Sequence, residues 1–136
     1  MRSLLSCCIM FTLFLGASLA RAEKVSIQSL PPVVVKTIPE SGSFNVDPKL
    51  SEIRVTFSKD MLDKGWSCVN LSKDSFPPSG GDPGYEQDKR TFVMPVKLEP
   101  GKVYAIMINS EKYGNFKDTQ RKSAMPYLLV FETAKQ

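Results

Sequence analysis

From Val33 onward, hydrophobic positions fall in short runs that alternate with polar ones every second residue, and turn-forming residues separate the runs. The runs span residues 33–38, 52–57, 66–71, 90–96, 102–109 and 126–133, and none holds a helical period long enough for three turns. A two-residue period places successive side chains on opposite faces of a strand. Ile53, Val55 and Phe57 therefore share one face while Arg54 and Thr56 take the other, as in a sheet wet on one side. Val103 to Ile108 is apolar on both faces, which predicts a central strand, and the run ending near Phe131 is expected to be similarly buried.

Turn chemistry agrees with this reading. Pro39-Glu40-Ser41-Gly42 closes the first run, and Glu99-Pro100-Gly101-Lys102 suits a type II turn with Pro100 and Gly101 at its centre. Residues 77–84 are too rich in Gly and Pro for a strand and are expected to form a mobile surface loop available for contacts. Short strands with such spacing predict an all-β sandwich or barrel.

The first 22 residues differ from the rest. Arg2 precedes an almost wholly apolar stretch that ends in Ala20-Arg21-Ala22, the pattern of a secretory signal peptide cleaved after Ala22. The apolar stretch is short for a membrane span, which needs about 20 such residues, so no stable membrane insertion is expected after cleavage. Cys7 and Cys8 lie too early in it to take a lipid after cleavage. The expected product is secreted or periplasmic: a lead-in over residues 23–32, marked by Pro31-Pro32, followed by one domain over residues 33–136.

Cleavage lowers the net charge from +4 to +2, because Arg2 and Arg21 leave with no acid. The remaining Lys and Arg alternate with Asp and Glu, which excludes the clustered basic face of a nucleic-acid binder. Cys68 alone survives cleavage, so no internal disulfide is available and packing must supply stability. Cys68 is expected to face inward.

Leu98-Glu99-Pro100-Gly101-Lys102-Val103-Tyr104 resembles the tyrosine-corner segment of fibronectin type III and related domains. By that resemblance the Tyr104 hydroxyl bonds backbone near Leu98 or Pro100. A wider set comprises Pro39-Glu40-Ser41-Gly42, Val46, the run Ile53 to Met61, the tyrosine segment, Asn115-Phe116-Lys117-Asp118 and Leu129 to Thr133. This set resembles the bacterial Ig-like domain family first described in surface-layer proteins. The resemblance implies an Ig-like antiparallel β-sandwich of about seven strands, with Phe57, Met61 and Phe131 in structural roles. It transfers no catalytic residue. Members often carry Gly soon after the aspartate, whereas Asp118 here precedes Thr119-Gln120-Arg121-Lys122, and the family's usual tandem modules are reduced to one.

No histidine is present, which removes Ser-His-Asp and Cys-His catalysis and the commonest zinc ligand. The acids Asp60, Asp63, Asp74, Asp82, Glu86 and Asp88 flank loops, but no spacing pairs two of them for hydrolysis. Asp82, Asp88 and Asp118 lack the spacing of a calcium loop. No catalytic residue, metal or cofactor is assigned.

What remains is aromatic. Trp66, Phe76, Tyr85, Tyr113 and Phe116 lie in or beside loops, and Trp66, Tyr85, Tyr113 and Phe116 are the candidate binding contacts, with a core role open for Trp66. The expected function is non-enzymatic binding of a protein or cell-surface glycan. The alternatives are a spacer or accessory subunit pairing through an exposed edge at residues 33–38, and, remotely, a carboxylate hydrolase.

Overall fold

A computed structural model describes residues 21–136, so the predicted signal peptide lies almost wholly outside the described residues. Seven strands are present among the described residues: β1 (Val34–Ile38), β2 (Glu52–Phe57), β3 (Cys68–Asn70), β4 (Gly84–Tyr85), β5 (Thr91–Pro95), β6 (Val103–Ile108) and β7 (Tyr127–Glu132). They form a four-stranded sheet ordered β1-β2-β5-β4 and a three-stranded sheet ordered β3-β6-β7, every pair antiparallel. All six predicted runs hold a strand; β4, two residues long beside Gly81 and Pro83, carries no alternation that could announce it.

The two-residue period decides the core. Ile53, Val55 and Phe57 from β2 meet Tyr104, Ile106 and Ile108 from β6 and Leu129 and Phe131 from β7, all nearly inaccessible, with Met61, Phe92 and Phe116 filling the space between. Each such large side chain contributes about 1.5–3 kcal/mol on burial. β6 is central in its sheet, as its composition predicts. Its outer face is less covered than expected, with Val103 51% exposed, and so is that of β7, where Leu128 is 44% exposed. A two-layer sandwich has no third layer to cover those faces.

The turn before β6 takes the expected form. Gly101 has a φ of +63°, the left-handed value required at the third position of a type II turn. The Glu99 N–H donates to the Tyr104 hydroxyl at 2.9 Å, which closes the tyrosine corner between the two positions expected for it.

Two segments outside the strands shape the molecule. Residues 42–46 run parallel to the end of β7, with Gly42 N–H donating to Val130 O at 2.7 Å, Glu132 N–H to Ser43 O at 2.8 Å, Val46 N–H to Glu132 O at 3.0 Å and Ala134 N–H to Val46 O at 2.8 Å. The lead-in is not free of the domain. Its end is held by Lys59, whose buried Nζ donates to Gln28 O at 3.1 Å and Leu30 O at 2.8 Å and pairs with Asp118 Oδ2 at 2.6 Å. Lys122 Nζ adds a bond to Ser29 O at 2.6 Å.

Candidate functional site

A concavity lies between β3 on one side and the chain leading into β4 on the other. Its volume is about 630 Å³, within the range of ligand sites. Trp66, Tyr113 and Asn115 contribute to it with Phe76, Met94 and Val96, and so do Pro77, Ser79, Gly81 and Pro83 of the 77–84 segment. No Asp, Glu, Lys or Arg among the described residues lines it.

Local chemistry builds each wall. Trp66 follows Gly65, where a Cβ would come within 2.9 Å of Asn115 O, so the turn can sit against the 110–115 loop. Asn115 N–H donates to Ser67 Oγ at 3.1 Å, tying that loop to the start of β3. Within the loop Ser110 N–H donates to Tyr113 O at 2.8 Å and Tyr113 N–H to Ser110 Oγ at 3.0 Å, presenting the half-exposed Tyr113 ring. The opposite wall is held by backbone: Lys97 N–H donates to Pro78 O at 3.0 Å and Gly80 N–H to Pro95 O at 2.9 Å. A Cβ on Gly80 would lie 2.8 Å from the Val96 amide nitrogen and carbonyl oxygen, so only glycine permits this approach. Residues 78–80 are thus an extension of the β5 ladder, not the mobile loop their composition suggests.

The aromatic candidates separate into rim and core. Trp66 is half-buried, with its ring 5.4 Å from that of Phe92, and it also lines the groove. Tyr113 lines the groove too. Phe116 is corrected: it is fully buried, packed 4.9 Å from Phe92 and 5.2 Å from Phe57, and unavailable to a partner. Its backbone explains this, since Phe116 N–H donates to Asn109 Oδ1 while Asn109 Nδ2 donates to Phe116 O and Ala124 O, all at 3.0 Å, drawing the loop inward. Tyr85 does not line the groove; it packs edge-on against Phe92 at 5.6 Å, and its buried hydroxyl has no partner among the described residues. Burial, with smaller contributions from the Cys68 and Asp63 charges, pushes that hydroxyl's pKa well up. Cys68 lines the groove, and burial pushes its thiol up to about 12.

Several of the acids are engaged away from the groove. Asp60 pairs with Arg90 at 2.7 Å and Glu86 with Arg54, while Asp88 accepts from Arg90 N–H at 2.9 Å, Thr91 N–H at 2.8 Å and the Thr91 hydroxyl at 2.6 Å. The bonds from Thr91 and Arg90 hold the Asp88 carboxyl below its ordinary range. Asp118, weighed above for calcium, is inaccessible and paired with Lys59. Its Oδ1 accepts from Gln120 and Lys122 N–H, both at 2.9 Å, in a turn where Arg121 takes the left-handed φ of +66° in place of a glycine. Burial alone would raise this carboxyl; the Lys59 ammonium and the backbone donors outweigh it and leave the pKa lowered. No group of three or more His, Cys, Asp or Glu side chains suited to a metal ion occurs among the described residues.

Met94 and Val96 complete the groove without being named in the sequence as site residues, whereas Phe76 was noted among the loop aromatics and Asn115 within the family-like set.

Sheets ordered β1-β2-β5-β4 and β3-β6-β7, joined at a tyrosine corner, define an immunoglobulin-like sandwich of the constant type. The chain belongs to the bacterial Ig-like domain family, whose profile matches residues 28–133. Among solved structures it is similar to the S-layer protein rSbsC(31-844), with 19% identity over 80% of this chain and a TM-score of 0.49. It is also similar to domains 1-6 of surface layer protein SbsC, with 19% identity over 80% of this chain and a TM-score of 0.50, a likeness of fold alone. The chain spans 14% of the length of each of those surface-layer chains. No curated protein matches it.

Proposed function

We propose that this chain is an exported, non-enzymatic Ig-like module that binds a partner in the groove between Trp66 and Tyr113 on one side and the 77–84 segment on the other. The observation that carries this reading is the composition of the groove: an aromatic and proline-lined concavity of about 630 Å³ with no charged side chain, on a surface elsewhere rich in Lys, Arg, Asp and Glu. Such sites bind through apolar contact, with a few polar groups fixing orientation. Export accords with the cleavage pattern at Ala20-Arg21-Ala22 and with the surface-layer setting of the structural neighbours. The absence of any acid from the groove's lining and the missing histidine favour binding over hydrolysis.

The spacer reading rests on the outer edge of β1, where Val35 is 59% exposed. That edge is poorly suited to pairing: its ladder slips between Val34 and Lys36, Lys36 is exposed, and Pro39 follows directly. Pull-down from the native envelope fraction, comparing wild type with Trp66→Ala and Tyr113→Ala, tests the proposal. A partner lost from both variants while their circular dichroism stays unchanged is expected; a partner retained by both refutes the groove.

A further inference from the structure

We infer, resting on the groove proposed above, that its occupant is an extended, uncharged stretch of polypeptide that adds to the free edge of β3 as an extra strand. The four sheet edges of the sandwich are not equivalent. That of β7 is closed by residues 42–46, that of β1 is disrupted by its register slip and Lys36, and β4 is two residues long beside Pro83. The edge of β3 is bordered instead by the groove.

The hydrogen-bond phase shows which backbone groups this edge presents. Asn109 N–H donates to Ser67 O at 2.9 Å, so Ser67 and Asn109 form a bonded pair, and with the register Val69↔Met107 the next bonded pair is Val69. Cys68 and Asn70 fall on the non-bonded positions, so their N–H and C=O groups point away from β6. None of these four groups has a partner among the described residues, and both residues line the groove. They are spaced as an incoming strand requires, and an unpaired edge beside an apolar cleft is the arrangement used in strand addition.

The far wall argues for pairing on one side only. Pro77, Pro83 and Pro95 have no N–H, Gly80 N–H is committed to Pro95 O, and Gly81 N–H to Ser79 Oγ at 3.3 Å. That wall therefore has few free donors, Ser79 N–H opposite Val96 among them, while β3 offers the alternating pair that a ladder needs. The occupant must be uncharged along the groove, because an ion there would lose hydration and meet no countercharge. A glycan would engage Trp66 and Tyr113 without needing the alternating peptide groups of Cys68 and Asn70.

The test uses the ¹⁵N-labelled chain and a capped peptide, acetyl-Thr-Val-Ser-Val-Thr-Val-Ser-amide. Expected on addition of the peptide is at least tenfold slower hydrogen exchange at the Cys68 and Asn70 amides, with Val69, already bonded to Met107, little changed. Methylating alternate peptide nitrogens, or replacing the central valine by glutamate, is expected to weaken binding at least tenfold. Peptide binding that shifts Trp66 and Tyr113 signals but leaves Cys68 and Asn70 exchange unaltered overturns strand addition and spares the groove; so does a neutral oligosaccharide that binds where the peptide does not. No response to the peptide up to millimolar concentration also overturns it, while the pull-down with Trp66→Ala judges the groove separately. Protection that rises with protein concentration alone would make a second copy the occupant and overturn a foreign strand.

Discussion

Tyr104 shows how a side chain buried in the core can also govern a turn. Its ring packs 5.5 Å from that of Phe131 while its hydroxyl accepts the Glu99 N–H. Tyr104→Phe keeps the ring and orphans that donor, so denaturant titration should show a loss of about 1 kcal/mol. Cys68 makes the opposite case, a reactive group silenced by its surroundings. With its thiol pushed up to about 12, almost no thiolate exists at neutral pH, and alkylation by iodoacetamide at pH 8 should run far slower in the native protein than after unfolding. Both residues were legible in sequence, one from the Leu-x-Pro-Gly-x-x-Tyr spacing and the other from being the sole cysteine beyond residue 8. Phe116 was not. Its neighbours Asn115, Lys117 and Asp118 read as a polar loop, and the inward pull comes from Asn109, seven positions away and itself buried.

At the scale of elements, strands with clean alternation announced themselves, whereas β4 and the docking of the lead-in did not. Both depend on partners distant in sequence: β4 exists because β5 lies beside it, and residues 28–30 stay in place because Lys59 and Lys122 reach their carbonyls. Lys59 reads as one more surface lysine until Asp118, 59 positions on, is brought 2.6 Å from it. Lys59→Met leaves the buried carboxylate without its cation and should cost about 3 kcal/mol or more by thermal or chemical denaturation. The same variant should release the lead-in to limited proteolysis. The groove has its own element-level dependence on Gly80. Gly80→Ala forces residues 78–80 away from Val96, with an expected loss of about 1–3 kcal/mol, and its displacement should appear as a change in Trp66 fluorescence.

For the molecule as a whole, the absence of histidine and the lowered carboxyls of Asp118 and Asp88 set the response to pH. A carboxyl lowered by folding stabilises fully above its unfolded pKa, and that contribution disappears as pH falls through the folded value. Stability should therefore change little between pH 5 and 8 and decline below about pH 4, the ordinary carboxylate range. Urea midpoints across that interval check this, and Asp118→Asn should flatten the acid limb. A midpoint that climbs on acidification would contradict the ion-pair geometry. The parallel course of residues 42–46 along residues 130–134 carries a mechanical consequence. Opposed tension on the lead-in and on the C-terminus slides one segment lengthwise past the other, so the four backbone bonds between them resist together instead of unzipping in turn. A sandwich tied in this way should yield abruptly and late when stretched.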